Sequence, residues 1–164
     1  MVMRHTHLLA VVLCIFSLRS PAFAQNALPS NLHVAPMYRE MVESMADRSP
    51  TSQAQLLRIA NAPGVTVHLE IVQHIIGARA LTRMVRQIDG LTARVEVARL
   101  DDVVELIAHE LEHVIEQIDR VDLRSAGLSN GGIYSVAAGG MLFETERAKR
   151  VGRAVAKEVQ ASLS

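Results

Sequence analysis

The chain is nearly without cysteine: Cys14 is its one thiol, and it lies in the apolar segment near the N-terminus. Residues 1–24 show the parts of a secretory signal, which are an early arginine (Arg4), an apolar run over residues 8–18, and the small-x-small cleavage site Ala22-Phe23-Ala24. Cleavage near Ala24 removes the thiol, so we expect a mature protein that is exported, periplasmic or extracellular, and free of disulfides. Any metal ion it binds must then be held by His and carboxylate side chains rather than by thiolates.

The chain also lacks a long apolar run, an excess of charge, and many aromatic rings. The N-terminal run is too short to remain as an anchor, and no later stretch is long and uncharged enough to replace it, so we expect no stable membrane insertion after cleavage. Basic and acidic side chains number 17 each, and there are two Tyr, three Phe and no Trp. Because phosphate binding needs a basic excess and base stacking needs aromatic rings, nucleic acid is excluded as a partner.

The remaining residues, 25–164, have the length of a single domain with its own core. After a flexible entry over residues 25–33, apolar positions at helical spacing predict two short helices, and a period of two predicts two strands. The helices are expected over residues 35–47 and from about residue 51 to a stop at Pro63-Gly64, and the strands over residues 65–71 and 91–100.

A third helix should begin at Asp101 and Asp102, which offer an N-cap and negative charge at the positive end of the helix dipole, and end near Asp119. A glycine-rich loop over residues 127–140 follows, either a mobile rim that closes over a substrate or a connection whose glycines satisfy turn geometry. A last helix is expected over residues 141–159. The sequence thus predicts an α+β fold, a small and mostly helical domain with a short β-sheet before the third helix.

The third helix carries the run His109-Glu110-Leu111-Glu112-His113. Residues four apart lie on the same face of a helix, so His109 and His113 can converge on one metal ion. Glu110, one step round the helix, can reach a water molecule at the ion and take its proton as a general base. The apolar stripe of this helix lies on the opposite side, which disfavours the interpretation of the pair as two satisfied core histidines. The alternative is a solvated acidic face, with Glu105, Glu112 and Glu116, that carries two histidines.

A catalytic zinc site takes three protein ligands and leaves one position open. On the helical wheel of the last helix, Glu144 falls in the apolar stripe and Glu146 falls among basic residues, so we select Glu144 as the third ligand. A lone carboxylate in an apolar stripe needs a positive partner, which a zinc ion would supply. Arg147 is the competing partner, in an ion pair with Glu144. If Glu144 binds zinc instead, Arg147 becomes a candidate for supporting the site or contacting a substrate carbonyl.

These residues resemble the zincin metallopeptidases, in particular the gluzincin group, in a minimal single-domain form. The resemblance lies in the His109-to-His113 motif and the downstream Glu144, within the layout of residues 90–160. It implies that His109, His113 and Glu144 bind Zn²⁺ and that Glu110 is the general base. It also implies that the preceding strands form the small sheet along which an extended peptide binds.

The chain departs from the gluzincin pattern in two respects. Gluzincins often carry an acidic residue four positions after the ligand glutamate, where it orients a histidine, but position 148 here is Ala. The substitutes to consider are Glu105, Glu116 and Asp119. These enzymes also use a Tyr or His to stabilise the oxyanion, for which the candidate is Tyr134, with His68 and His74 as alternatives.

The sequence therefore predicts a secreted or periplasmic zinc-dependent hydrolase, a metallopeptidase that cleaves a peptide or protein substrate. Its catalytic candidates are Glu110, which activates the attacking water, Tyr134 and Arg147. The alternatives are a non-catalytic binding domain of zincin shape and a zinc hydrolase with a non-peptide substrate. A di-iron carboxylate protein is excluded, because Glu110 is the one glutamate followed by His three residues later.

Overall fold

The computed structural model describes residues 28–98, 102–122, 133–137 and 141–164. For residues 133–137 and 141–143 it describes the backbone alone. The expected signal segment, residues 1–24, lies outside the described residues. None of the helices in the described ranges has the length and apolar character that crossing a bilayer requires.

The described residues form four helices and six strands. The helices are α1 (Pro36–Arg48), α2 (Pro50–Ala60), α3 (Val103–Ile118) and α4 (Glu146–Ala161). The strands are β1 (Leu32–Val34), β2 (Val65–Val72), β3 (Ala80–Arg86), β4 (Leu91–Ala98), β5 (Ile133–Ala137) and β6 (Met141–Thr145). The fold is α+β, and the predicted short sheet before α3 is confirmed.

The sheet before α3 has the strand order β1-β2-β4-β3. Strands β1, β2 and β4 run parallel, whereas β3 is antiparallel to β4 and forms one edge. Alternate residues of β2 and β4, such as Val67, Leu69 and Val95, are buried and share one core with the helices, because successive side chains of a strand point to opposite faces. The edge strand β3 lies beside α3.

Helix α3 is buried on both of its sides. Ile107, Leu111 and Val114 pack into the core, as the sequence indicates. The opposite side is buried as well, since Glu110, Glu112, His113 and Glu116 are nearly inaccessible to solvent. The alternative of a solvated acidic face is therefore wrong, because α2, α4 and β3 cover this side of the helix.

The segment after α3 differs most from the prediction. Residues 141–145 form β6, which pairs with β5 in an antiparallel hairpin, rather than the first turn of a helix. Helix α4 begins at Glu146 because the Thr145 side chain accepts a hydrogen bond from the backbone N–H of Ala148 and caps the helix. Part of the expected glycine-rich loop is thus the strand β5, and its remaining residues lie outside the described ranges.

The sequence also missed β1 and β3. The three residues of β1 belong to the expected flexible entry, and they are too few for a period of two to be recognised. In β3 the side chains are mostly half-buried, so the alternation that marks β2 and β4 is weak. Both strands depend on pairing with a distant neighbour rather than on their own pattern.

The close approach of α4 to α3 occurs at Gly152. A Cβ atom at this position would lie 2.9 Å from the backbone oxygen of Glu105 and 3.1 Å from the Cβ of His109. The glycine therefore lets the two helices meet at the turn that carries the first histidine of the motif.

We predict that Gly152→Ala lowers the free energy of unfolding by about 1–2 kcal/mol, because the clash with backbone exceeds the gain in helix propensity. Chemical denaturation measures the change. Arg153→Ala, at the exposed neighbouring position, is the control and should be near neutral. An unchanged or increased stability of Gly152→Ala would show that the helices can separate freely.

Candidate metal centre

Three side chains from two elements meet at one point. His109 and His113 come from successive turns of α3, and Glu144 comes from the end of β6. Glu144 Oε1 lies 3.0 Å from His109 Nε2 and 3.6 Å from His113 Nε2, and the two imidazole nitrogens are 3.2 Å apart. Ligand atoms of a tetrahedral zinc site, with metal–ligand distances of about 2.0–2.1 Å, are about 3.3 Å from one another. The spacing of the three atoms therefore fits a metal ion.

The chemistry and exposure of the three side chains also suit a metal ion. Two imidazoles and one carboxylate form a mixed nitrogen and oxygen donor set without thiolate, and the group could hold a metal ion. The side chain of His113 is 9% exposed, that of His109 14%, and that of Glu144 30%. Glu144 is thus the most exposed of the three side chains, and the two histidines are more deeply buried.

The charges of the cluster are strongly coupled. Burial opposes the ionisation of Glu144, but hydrogen bonds from His109 and His113 hold the pKa of this carboxyl group well below its usual range. Burial by itself would lower the pKa of His113, yet its hydrogen bonds with Glu116 and Glu144 and the charge of Glu110 raise it to about 10. Both shifts favour the charged forms of the two side chains, so a metal ion that binds His113 would compete with a proton.

Glu110 lies beside the cluster and is held by β3. The hydroxyl oxygen of Thr82 is 2.7 Å from Glu110 Oε2 and 3.2 Å from the Glu110 backbone oxygen, so it donates to one of the two acceptors. Burial raises the pKa of Glu110, against the opposing effects of His113, Thr82 and His109. A carboxylate with a raised pKa accepts a proton more readily at neutral pH than an exposed one does.

Of the three residues considered for orienting a histidine, Glu116 is the one that contacts the candidate metal site. Glu116 Oε2 is 2.9 Å from His113 Nδ1, the ring nitrogen that faces away from the other ligand atoms. Asp119 instead forms ion pairs with Arg58 and Arg147. Glu105 lies against Gly152, at the helix contact described above.

Arg147 is engaged away from Glu144. Its Nε donates to Glu112 Oε1 at 2.6 Å and its Nη1 donates to Asp119 Oδ2 at 3.0 Å. Glu112 also accepts from the side chain of Gln55 at 2.8 Å. The suggested ion pair between Arg147 and Glu144 is therefore not formed, and the guanidinium joins α4 to α3. A substrate contact by Arg147 would require these ion pairs to break.

The candidates for oxyanion stabilisation have different positions. Tyr134 lies in β5, where its backbone is the register partner of Glu144, and its side chain is outside the described part of the chain. His68 stacks on His33 with 4.9 Å between ring centres, on the sheet face opposite to that of the buried Val67. Within the described part of the chain, His74 forms no hydrogen bond or ion pair with the cluster.

The choice of Glu144 over Glu146 agrees with the geometry, although the helical wheel was the wrong reason. Glu144 lies on a strand, and the backbone N–H of the next residue, Thr145, donates to its Oε1 at 3.0 Å. Glu146 is exposed in the first turn of α4 and pairs with Lys149 at 3.2 Å. The partners of Thr82 and Gln55 are distant in sequence, so no local pattern marks these residues. Thr145 could have been recognised as a helix cap from its spacing to Ala148, but its contact with Glu116 is distant in sequence.

No protein-family model, no curated protein and no solved structure matches the chain. The support for a function therefore comes from the chemistry of the site.

We predict that Glu144→Gln weakens the binding of a divalent transition metal by more than the roughly 10- to 100-fold loss typical of residues that only support a ligand. Glu146→Gln, two residues away and exposed, is the matched control and should bind as the unaltered protein does. Competition with a chromophoric chelator gives both affinities. Equal losses in the two variants, or a larger loss in Glu146→Gln, would contradict the assignment.

Proposed function

We propose that the protein is an exported zinc-dependent hydrolase, a metallopeptidase with a gluzincin-like site. The observation that carries the proposal is the convergence of His109, His113 and Glu144 on one point, with the buried Glu110 next to them. Export is part of the proposal because residues 1–24 have the pattern of a secretory signal.

Zinc is the proposed ion because tetrahedral spacing, two imidazoles and one carboxylate are its usual arrangement at catalytic sites. When bound, it would polarise a substrate carbonyl and acidify a water molecule. His109, His113 and Glu144 would hold it, and three protein ligands leave a coordination position free.

The proposed role of Glu110 is proton transfer. Its carboxylate takes a proton from the attacking water, the water oxygen bonds to the carbonyl carbon, the C–N bond breaks, and the proton passes to the departing nitrogen. The hydroxyl of Thr82 holds Glu110 in place for this transfer. Burial of the Glu110 carboxylate costs stability. A catalytic role would account for a charge kept at that cost, which favours a catalytic protein over a binding domain without activity.

A peptide substrate is supported by the position of β3. This strand is at the edge of the four-stranded sheet and also carries Thr82, which contacts Glu110. Among the described strands β3 pairs with β4 alone, and such a strand edge can accept an extended peptide as a further strand, through main-chain hydrogen bonds. A peptide on this edge would lie next to the proposed base. Tyr134 remains a proposal for the oxyanion contact, supported by its register position opposite Glu144.

We predict about one zinc ion per chain in protein purified without added metal, as three protein ligands define one site. Elemental analysis by mass spectrometry measures the stoichiometry, and the Glu144→Gln variant supplies the background. Protein that contains no zinc and takes none up on titration would exclude the proposed function.

We predict that Glu110→Gln keeps the zinc content near normal and lowers kcat by about 10²- to 10⁴-fold, since the base is lost and the ligands stay. Turnover of a peptide library, followed by mass spectrometry, measures the loss. Because the glutamine side chain carries no charge that must be buried, the free energy of unfolding of the variant should not be lower than that of the unaltered protein. A variant that cleaves peptides as fast as the unaltered protein would rule out Glu110 as the base.

A further inference from the structure

Glu116 is a buried residue beside the candidate metal site, and both oxygens of its carboxylate accept hydrogen bonds. The residue is 2% exposed. Its Oε2 accepts from His113 Nδ1 at 2.9 Å, and its Oε1 accepts from the hydroxyl of Thr145 at 2.6 Å. Three residues apart on α3, His113 and Glu116 share a helix face, so the contact is built into one rigid element.

This contact selects the tautomer of His113 that can bind a metal ion. A neutral imidazole has one N–H and one free lone pair. With the hydrogen on Nδ1 and donated to Glu116, the lone pair is on Nε2, the nitrogen nearest to His109 and Glu144. A hydrogen bond at Nδ1 also restricts rotation of the ring, so Glu116 helps to set its orientation.

Thr145 connects this support to the third ligand. Its hydroxyl accepts from the backbone N–H of Ala148 at 3.0 Å, which leaves the hydroxyl hydrogen available for Glu116. Its own backbone N–H donates to Glu144 Oε1 at 3.0 Å. One residue therefore contacts the orienting carboxylate, the ligand carboxylate and the first turn of α4.

The partners of Glu116 differ from those of Glu112, another buried glutamate on α3. Glu112 has a cationic partner, Arg147, and an amide partner, Gln55. Glu116 accepts hydrogen bonds from His113, which is a candidate metal ligand, and from Thr145, which follows the candidate ligand Glu144. Burying the Glu116 carboxylate is costly because, among the described residues, no arginine or lysine side chain is paired with it. A cation bound at His113 would make the hydrogen bond from His113 to Glu116 more favourable, which explains why a carboxylate lies at this position.

We propose that Glu116 and Thr145 are positioning residues that hold His113 and Glu144 in their metal-binding arrangement. The proposal rests on the function proposed above. It places the acid that orients a histidine on the same helix as the histidines, three residues after His113. In the gluzincin pattern this acid follows the ligand glutamate, at the position that Ala148 occupies here.

The test compares Glu116→Gln with Glu112→Gln, since each replaces one buried carboxylate of α3 by an amide of the same shape. Zn²⁺ affinity is measured by chelator competition and folding by circular dichroism. Glu116→Gln should bind Zn²⁺ about 10- to 100-fold more weakly. Glu112→Gln should lose stability, because Arg147 loses its partner, but should keep its Zn²⁺ affinity.

A second pair of variants distinguishes positioning from folding. Thr145→Val removes the hydroxyl and should weaken Zn²⁺ binding, whereas Thr145→Ser keeps it and should restore the affinity. With Co²⁺ in place of Zn²⁺, the visible absorption bands, which report ligand geometry, should shift in Glu116→Gln and Thr145→Val alone. If Glu116→Gln does not fold, the threonine pair decides.

Unchanged affinity and spectrum in Glu116→Gln or in Thr145→Val would overturn the positioning proposal and leave the proposed function standing. Equal losses of affinity in Glu116→Gln and Glu112→Gln would also overturn it, because general destabilisation would then explain both. A native protein that binds neither Zn²⁺ nor Co²⁺ would instead remove the proposed function itself.

Discussion

The burial of charged side chains on one face of α3 is the constraint on which the rest of the structure depends. Glu110, Glu112, His113 and Glu116 lie under the surrounding elements rather than in solvent. Each such group needs a hydrogen-bonding or charged partner, since an unpaired one would cost several kcal/mol, or roughly the stability of a small domain. The elements around α3 supply the partners, so the fold and the candidate site are built from the same contacts.

These partners divide the face into two parts. Glu112 is bound by Arg147, which reaches on to Asp119, and Asp119 is also held by Arg58. This network joins α2, α3 and α4. Glu110 accepts a hydrogen bond from the hydroxyl of Thr82, and Glu116 accepts from the hydroxyl of Thr145 and from the ring of His113. Neither carboxylate accepts a hydrogen bond from Arg or Lys in the described ranges, which is how this part of the face differs from the part around Glu112.

The attachment of α4 explains how a carboxylate outside α3 reaches the histidines. At its C-terminal end, Glu158 accepts hydrogen bonds from Ser49 and Thr51 at the start of α2. In its middle, Gly152 allows close contact with α3. At its start, Thr145 ends β6 and caps the helix. With α4 held at three points, the residue before the cap, Glu144, is directed at the imidazole pair.

The sequence by itself determined what depends on local spacing: the helices α1, α2 and α3, the strands β2 and β4, and two histidines one turn apart on α3. Periodicity and helix geometry are properties of neighbouring residues, so they can be recognised without the fold. Tertiary structure decided that Glu144 lies on a strand, that Arg147 pairs with Glu112, and that Glu116 contacts His113. The sequence had left the last choice open among three acids, because a buried charge takes its partner from whichever element packs against it, and that packing is set by the whole chain.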